Sequence, residues 1–109
     1  MKRFCYTLDL KKDQNLKNEY IKQHKNVWPE IISSLKESGI INAEIYNVSF
    51  RLFLIIQTTN DFDEEKKKQM DLNNPYVQKW ESLMLTYQKK MSFSKTGEKW
   101  VKMNKIFEL

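Results

Sequence analysis

The sequence predicts an α+β fold, in which a four-stranded antiparallel sheet carries helices on one face. Three observations lead to this prediction. Short segments alternate between apolar and polar residues, as half-buried strands do. Two longer regions instead repeat their apolar residues at helical spacing. Only two glycines and two prolines occur in 109 residues, which favours continuous elements. A chain of this length fits one domain, so we expect residues 1–109 to form a single unit.

The first strand and the first helical region fill the amino-terminal third. Residues 3–10 alternate, which predicts a half-buried strand. Asp13 suits the N-cap of a long helix to about Ser38, and Gly39 suits the position after its end. Pro29 removes a backbone donor inside that helix, so the helix should kink or restart there. The apolar face of the strand consists of Phe4, Tyr6, Leu8 and Leu10.

Two further strands follow as a hairpin. Residues 41–46 alternate in polarity and predict the second strand, whereas the third, 50–57, is richer in apolar residues and therefore central. Residues 47–49 between them are short enough for a hairpin turn.

The second helical region is predicted in two pieces, before a last strand. Asp61 and Glu64 have the spacing of a capping box that opens a short polar helix. Asn74 and Pro75 suit the cap and first turn of another helix. Residues 101–108 predict the fourth strand. The apolar positions of the second of these helices are Val77, Trp80, Leu83, Met84 and Tyr87.

The resulting order, β-α-β-β-α-β, is that of the split βαβ, ferredoxin-like arrangement. Its helices cover only one face of the sheet. Small domains of this kind often cover the other face by dimerising, so we expect a homodimer. Fold alone does not assign a function.

Composition excludes several classes of protein. The net charge of +5 comes almost entirely from lysines interspersed with acidic residues, with Arg3 and Arg51 as the only arginines, which argues against a nucleic-acid partner. No apolar run approaches the roughly 18 residues of a membrane span. With Cys5 as the single cysteine no internal disulfide can form, and without a signal peptide we expect a cytoplasmic protein.

The one constellation that indicates chemistry lies on the first helix. Tyr20, His24 and Trp28 are four residues apart and therefore share a face. His24 is either a hydrogen-bonded core histidine or a proton-transfer group whose pKa is tuned by partial burial. Flanking aromatic rings would then offer flat, apolar walls to a ring-shaped ligand. The residues alone leave both interpretations open and favour the structural one.

Other catalytic templates are absent or weak. There is no glycine-rich phosphate loop and no second histidine for a metal site, so we expect neither cofactor nor metal. A Cys5–His24 nucleophile pair is conceivable, although Cys5 lies among core-like strand residues. Among the carboxylates, Glu81 stands out because it follows Trp80, which is itself more often a core residue than a ligand platform.

One stretch carries a family resemblance. Glu19 to Glu30 contains Tyr-x-x-x-His-x-x-x-Trp-Pro-Glu and resembles the signature of the L-rhamnose mutarotase family. The resemblance covers nearly the whole chain. It implies a homodimeric, cofactor-free enzyme that interconverts the α and β anomers of a 6-deoxy-L-sugar, with His24 as the acid/base and with Tyr20 and Trp80 contacting the substrate. Further matches are Gly39, Ile45-Tyr46, Val77 to Trp80, Met84, and Ile106 to Leu109.

Two departures from the family pattern affect the expected pocket. Glu81 stands where those enzymes carry a second tryptophan, and Ala43 stands where they carry a tyrosine on strand 2. A carboxylate accepts two sugar hydroxyls, so Glu81 is expected to contact a substrate with a different hydroxyl pattern. L-fucose therefore stands beside L-rhamnose as a candidate. The alternatives are a small dimeric monooxygenase on the same scaffold and a non-enzymatic ligand-binding or regulatory module.

Overall fold

A computed structural model describes all residues from 1 to 109 and shows an antiparallel sheet with four helices. The predicted βαββαβ order is confirmed, with both helical regions in two pieces. No helix is long and apolar enough to cross a membrane. The elements are β1 (Lys2–Leu10), α1 (Gln14–His24), α2 (Pro29–Glu37), β2 (Ile40–Val48), β3 (Arg51–Thr58), α3 (Glu64–Leu72), α4 (Pro75–Leu85), β4 (Gln88–Lys89) and β5 (Val101–Lys102).

The sheet has the order β2-β3-β1-β4, and β5 also pairs with β1. The long pairing of β1 with β3 runs from Lys2 opposite Thr58 to Asp9 opposite Arg51. The fourth position in the sheet is filled by two short strands in tandem. Of these, β4 pairs with the end of β1 at Leu10, while β5 pairs with its middle.

The predicted fourth strand, 101–108, is too long. Only β5 forms, and one more backbone hydrogen bond follows, in which the Met103 amide donates to the Cys5 carbonyl at 2.8 Å. Alternation of apolar residues favours an extended chain but does not guarantee a neighbouring strand to pair with. The apolar end of the chain is therefore left in solvent, with Ile106 96% and Phe107 76% exposed.

Local signals place the helix boundaries, with one correction. Pro29 restarts the helix as predicted, because α1 ends at His24 and α2 begins at Pro29. The N-cap of α3 is Asp63 rather than Asp61: the Asp63 carboxylate accepts the amides of Glu65 and Lys66. Asp61 instead accepts the hydroxyl of Thr59 at 2.6 Å. Both aspartates suit a cap.

The hairpin turn differs slightly from the prediction, whereas the end of the first helical region at Gly39 agrees with it. The hairpin turn falls at Ser49 and Phe50, because β2 continues to Val48. Ser49 adopts a positive φ of 52° there. Gly39 follows α2 with a φ of 98°, and a Cβ at this position would lie 2.9 Å from the Thr59 hydroxyl oxygen, so glycine is required.

The core lies between the sheet and the helices. Leu8 and Leu52 oppose each other in the β1–β3 pair, and both are 1% exposed. The other sheet face carries half-buried side chains such as Phe53 and Ile55, beside exposed Tyr46. The main buried cluster consists of Leu10, Tyr20, Ile31, Leu52, Val77, Trp80, Met84 and Tyr87, and a smaller one of Ile40, Ile56 and Phe62.

Candidate active site

Helices α1 and α4 bring three of the four predicted site residues together. Asp13 fixes the start of α1, because its carboxylate accepts two free backbone amides of the first turn. Tyr20 and His24 then lie one turn apart, with ring centroids separated by 4.3 Å. Trp80 of α4 meets the His24 ring edge-on, at 5.6 Å between centroids. The predicted grouping of Tyr20 with His24 therefore extends to Trp80.

Trp28 lies in the break between α1 and α2 and adds a further aromatic ring to this cluster. It occupies the N-cap position of α2, where the backbone turns before Pro29. Its ring contacts Trp80 edge-on, with 5.1 Å between centroids. The His24 ring therefore contacts the rings of Tyr20 and Trp80, and Trp28 packs against Trp80.

The His24 ring is fixed in one tautomer when it is neutral. Its Nδ1 lies 2.8 Å from the backbone carbonyl oxygen of Tyr20. A carbonyl oxygen only accepts hydrogen bonds, so Nδ1 must carry the proton and donate it. The lone pair of the neutral ring therefore lies on Nε2, where it is able to accept a proton from a bound molecule.

The environment also keeps the ring neutral. Burial lowers the pKa of His24, while the hydrogen bond from Nδ1 to the Tyr20 carbonyl raises it and offsets part of that effect. Gln88 Oε1 is the only side-chain nitrogen or oxygen atom that is enclosed without a hydrogen-bond partner. Nε2 of His24 also makes no hydrogen bond to the protein, but it is not enclosed in this way, so it is reachable from solvent.

Tyr20 presents a phenol that stays protonated. Its side chain is 3% exposed, and burial raises its pKa to about 12, against a smaller lowering effect from the neighbouring Gln88 amide. A protonated phenol both donates and accepts hydrogen bonds. The Tyr20 ring packs against the His24 ring and also meets Tyr87 edge-on, at 6.0 Å between centroids.

Glu81, the fourth predicted residue, lies beside this cluster rather than inside it. It follows Trp80 on α4, about 100° further around the helix, and is half-buried. Its carboxylate makes no ion pair or hydrogen bond within the chain, so it is free to bind a ligand. Ala43 is exposed on β2 and pairs with Ile56.

Other candidate groups lie elsewhere. Cys5 points to the sheet face opposite the helices, because its neighbour Phe4 packs with the helix-side core, and it therefore does not meet His24. No cluster of three or more histidine, cysteine or acidic side chains has the geometry to hold a metal ion. Surface cavities of about 250 and 300 Å³ lie beside Gly39 and beside the chain termini, and neither borders the aromatic cluster.

Sequence reasoning missed Gln88. It is 8% exposed and lies beside Tyr20 in the buried end of the site. Because the two-residue strand β4 has no alternating pattern of its own, no sequence pattern indicates where this side chain points. The only available signal is an uncharged polar side chain between Tyr87 and Lys89.

We predict that protonation of His24 at low pH lowers the free energy of unfolding and blocks the lone pair that would accept a proton. Its pKa in the folded chain lies below the usual value of about 6.5, so between these two values the unfolded chain binds a proton that the folded chain does not. The free energy of unfolding should therefore fall as the pH falls below about 6.5, and level off below the folded pKa. Urea unfolding between pH 7.5 and 5 measures this. An unchanged pH dependence in His24→Asn would contradict it.

Comparisons with known proteins identify relatives of this chain. Residues 3–109 match the family model for L-rhamnose mutarotase (rhaM). An L-fucose mutarotase from Xanthomonas campestris is 39% identical over 111 residues, covering 100% of this chain and 89% of that protein. An L-rhamnose mutarotase from Phocaeicola vulgatus is 33% identical over 81 residues, covering 73% of each.

A solved structure gives the same result for the fold. The crystal structure of an L-rhamnose mutarotase from Formosa agariphila superimposes with a TM-score of 0.75 at 22% identity, covering 100% of this chain and 99% of that one. Together with the family match over almost the entire sequence, this shows that the chain belongs to the L-rhamnose mutarotase family of sugar isomerases.

Proposed function

We propose that this protein interconverts the α and β anomers of a 6-deoxy-L-sugar, with His24 as the proton-transfer residue. The observation that carries the proposal is the bond between His24 Nδ1 and the Tyr20 carbonyl. It leaves Nε2 as an accessible base among aromatic walls, in a ring that burial keeps neutral. We propose L-fucose ahead of L-rhamnose, because the relative named for L-fucose is similar over the full chain.

The proposed reaction opens the sugar ring and closes it again on the other face. His24 Nε2 takes the proton of the anomeric hydroxyl while the bond between C1 and the ring oxygen breaks and an acid protonates that oxygen. The aldehyde then rotates about its C1–C2 bond, and the two proton transfers reverse as the ring closes. Positioned proton transfer contributes roughly 10²–10⁴-fold.

The remaining site residues take binding roles in this proposal. Tyr20 supplies a protonated hydroxyl, and Trp80 an apolar wall on which the sugar packs. Glu81, whose carboxylate is unpaired, accepts two sugar hydroxyls. The acid that serves the ring oxygen is the Tyr20 hydroxyl or a bound water, and no cofactor is required.

The test measures anomer exchange directly. Saturation-transfer NMR on equilibrated L-fucose and L-rhamnose gives the exchange rate between α and β signals, with D-glucose and protein-free buffer as controls. We expect exchange faster than in buffer with a 6-deoxy-L-sugar, and fastest with L-fucose. Rates equal to those in buffer for both deoxy sugars would refute the proposed function.

The proposal includes a homodimer and one mutarotase domain that works in the cytoplasm. Two apolar surfaces support the dimer: the open sheet face with Phe53 and Tyr46, and the exposed chain end with Ile106 and Phe107. Contiguous exposed apolar surface is typical of interaction sites. The compartment rests on the single cysteine, Cys5, which permits no internal disulfide.

Light scattering after size exclusion tests the dimer. We predict twice the chain mass for the wild type and a shift toward the monomer in Phe107→Asp, because a charge would replace a buried ring at the contact between copies. Leu72→Asp is the matched control, since Leu72 is also exposed but lies on α3. A monomeric wild type, or equal behaviour of both variants, would contradict the prediction.

A further inference from the structure

Gln88 is a buried polar residue that the proposed reaction does not yet use. It begins β4 and pairs with Leu10 of β1. Paired residues point to the same face of a sheet, so the Gln88 side chain lies with Leu10 on the helix side, within the cluster that contains Tyr20 and Tyr87. Only 8% of Gln88 is exposed.

The amide of Gln88 is incompletely bonded. Its Oε1 is enclosed and has no hydrogen-bond partner. The other end of the amide lies beside the Tyr20 hydroxyl and lowers the pKa of that phenol. Rotating the amide by 180° would only exchange the two ends, so one of them lacks a partner in either orientation. A buried polar group without a partner is destabilising, and such a group in a native site calls for a partner.

The Tyr20 hydroxyl is where this amide meets solvent. The Tyr20 hydroxyl forms no hydrogen bond of good geometry within the chain. An enclosed hydroxyl without a partner would stand beside Gln88 Oε1 in that class, and it does not, so the Tyr20 hydroxyl reaches solvent. A sugar ring bound there beside His24 would bring hydroxyls, which both donate and accept. A hydroxyl therefore matches the end of the Gln88 amide that lies beside Tyr20, in either orientation of the amide.

We infer that Gln88 is a specificity-determining residue, whose side-chain amide hydrogen-bonds one sugar hydroxyl next to Tyr20. The inference rests on the proposed function, since it assumes a sugar in this site. The Gln88 amide is uncharged, so it suits a neutral ligand: an amide pairs with a hydroxyl without burying a charge. L-Fucose and L-rhamnose differ only in the orientation of their hydroxyls, which is the property that a fixed amide would distinguish.

The experiment compares Gln88→Met with the wild type on L-fucose, L-rhamnose and a series of mono-deoxy analogues. Methionine keeps the length and volume of the side chain but forms no comparable hydrogen bond. We expect kcat/KM for the preferred sugar to fall about tenfold, the size expected for a lost hydrogen bond to a neutral group. Removing one particular sugar hydroxyl should lower the wild-type rate by a similar factor and have no further effect in Gln88→Met.

Controls separate this role from a structural one. Thr58→Val removes another buried polar group, 0% exposed and on β3, and should leave kcat/KM unchanged. If Gln88→Met does not fold, Gln88→Asn, which withdraws the amide by one methylene, is measured in the same way. A folded variant with unchanged kcat/KM and equal sensitivity to every deoxy analogue would overturn the inference. A wild type without exchange activity would instead refute the proposed function.

Discussion

Replacing His24 with asparagine is expected to lower catalysed anomer exchange by about 10²–10⁴-fold, the contribution typical of positioned proton transfer. The asparagine amide nitrogen takes the place of Nδ1 and is able to donate to the Tyr20 carbonyl, which lies 2.8 Å from Nδ1 in the native chain. The variant therefore keeps the anchoring hydrogen bond and loses the Nε2 lone pair. Saturation-transfer NMR on L-fucose gives the rate, and circular dichroism gives the fold.

The control for this variant lies on the same helix. Lys22→Gln changes an exposed side chain of α1, two residues away, and should keep the wild-type rate. Undiminished exchange in folded His24→Asn would exclude His24 as the acid/base. Equal losses in both variants would point to a disturbance of α1 rather than to a missing proton acceptor.

Trp80→Ala should have the largest effect on stability, at about 3–5 kcal/mol for a buried tryptophan reduced to alanine. Trp80 is 9% exposed and belongs to the main core cluster. Its ring contacts those of His24 and Trp28, so alanine would leave a cavity between α1, α2 and α4. Urea unfolding of both proteins at pH 7.5 gives the difference in the free energy of unfolding.

Two further variants show whether the loss of stability in Trp80→Ala comes from the buried position of the ring. Tyr76→Ala removes an aromatic ring from the same helix at a position that is 49% exposed, and should change the free energy of unfolding by less than about 0.5 kcal/mol. Trp80→Phe keeps an aromatic wall and should fall between the two. A loss below about 1 kcal/mol for Trp80→Ala would mean that Trp80 does not fill the core as described.

Local patterns in the sequence predicted most of the fold. Alternation located β1 and β2, richness in apolar residues located β3, and Pro29 located the break between α1 and α2. Strands β4 and β5 depend instead on β1, because two residues form a strand only where a neighbouring edge is available. No local pattern reports such a neighbour, which is why the last strand was predicted too long.

The candidate site likewise has features that local sequence patterns predict and features that depend on tertiary packing. Tyr20 and His24 lie four residues apart on one helix, so spacing was enough to group them. Their contact with Trp80 depends on how α4 packs against α1, and only the family resemblance pointed to it. The tautomer of His24 and the incomplete bonding of Gln88 depend on atomic positions, which composition and spacing do not contain.

The acceptor that holds His24 Nδ1 is a main-chain atom, and this has an evolutionary consequence. Every residue type at position 20 supplies the same carbonyl oxygen, so a substitution of Tyr20 keeps the acceptor for Nδ1 even though it removes a ring that packs against His24. The tautomer of the base is therefore independent of the side chain at position 20. In the proposed site, residues on other elements, such as Glu81 on α4, are then able to change across evolution while the proton on Nδ1 stays in place.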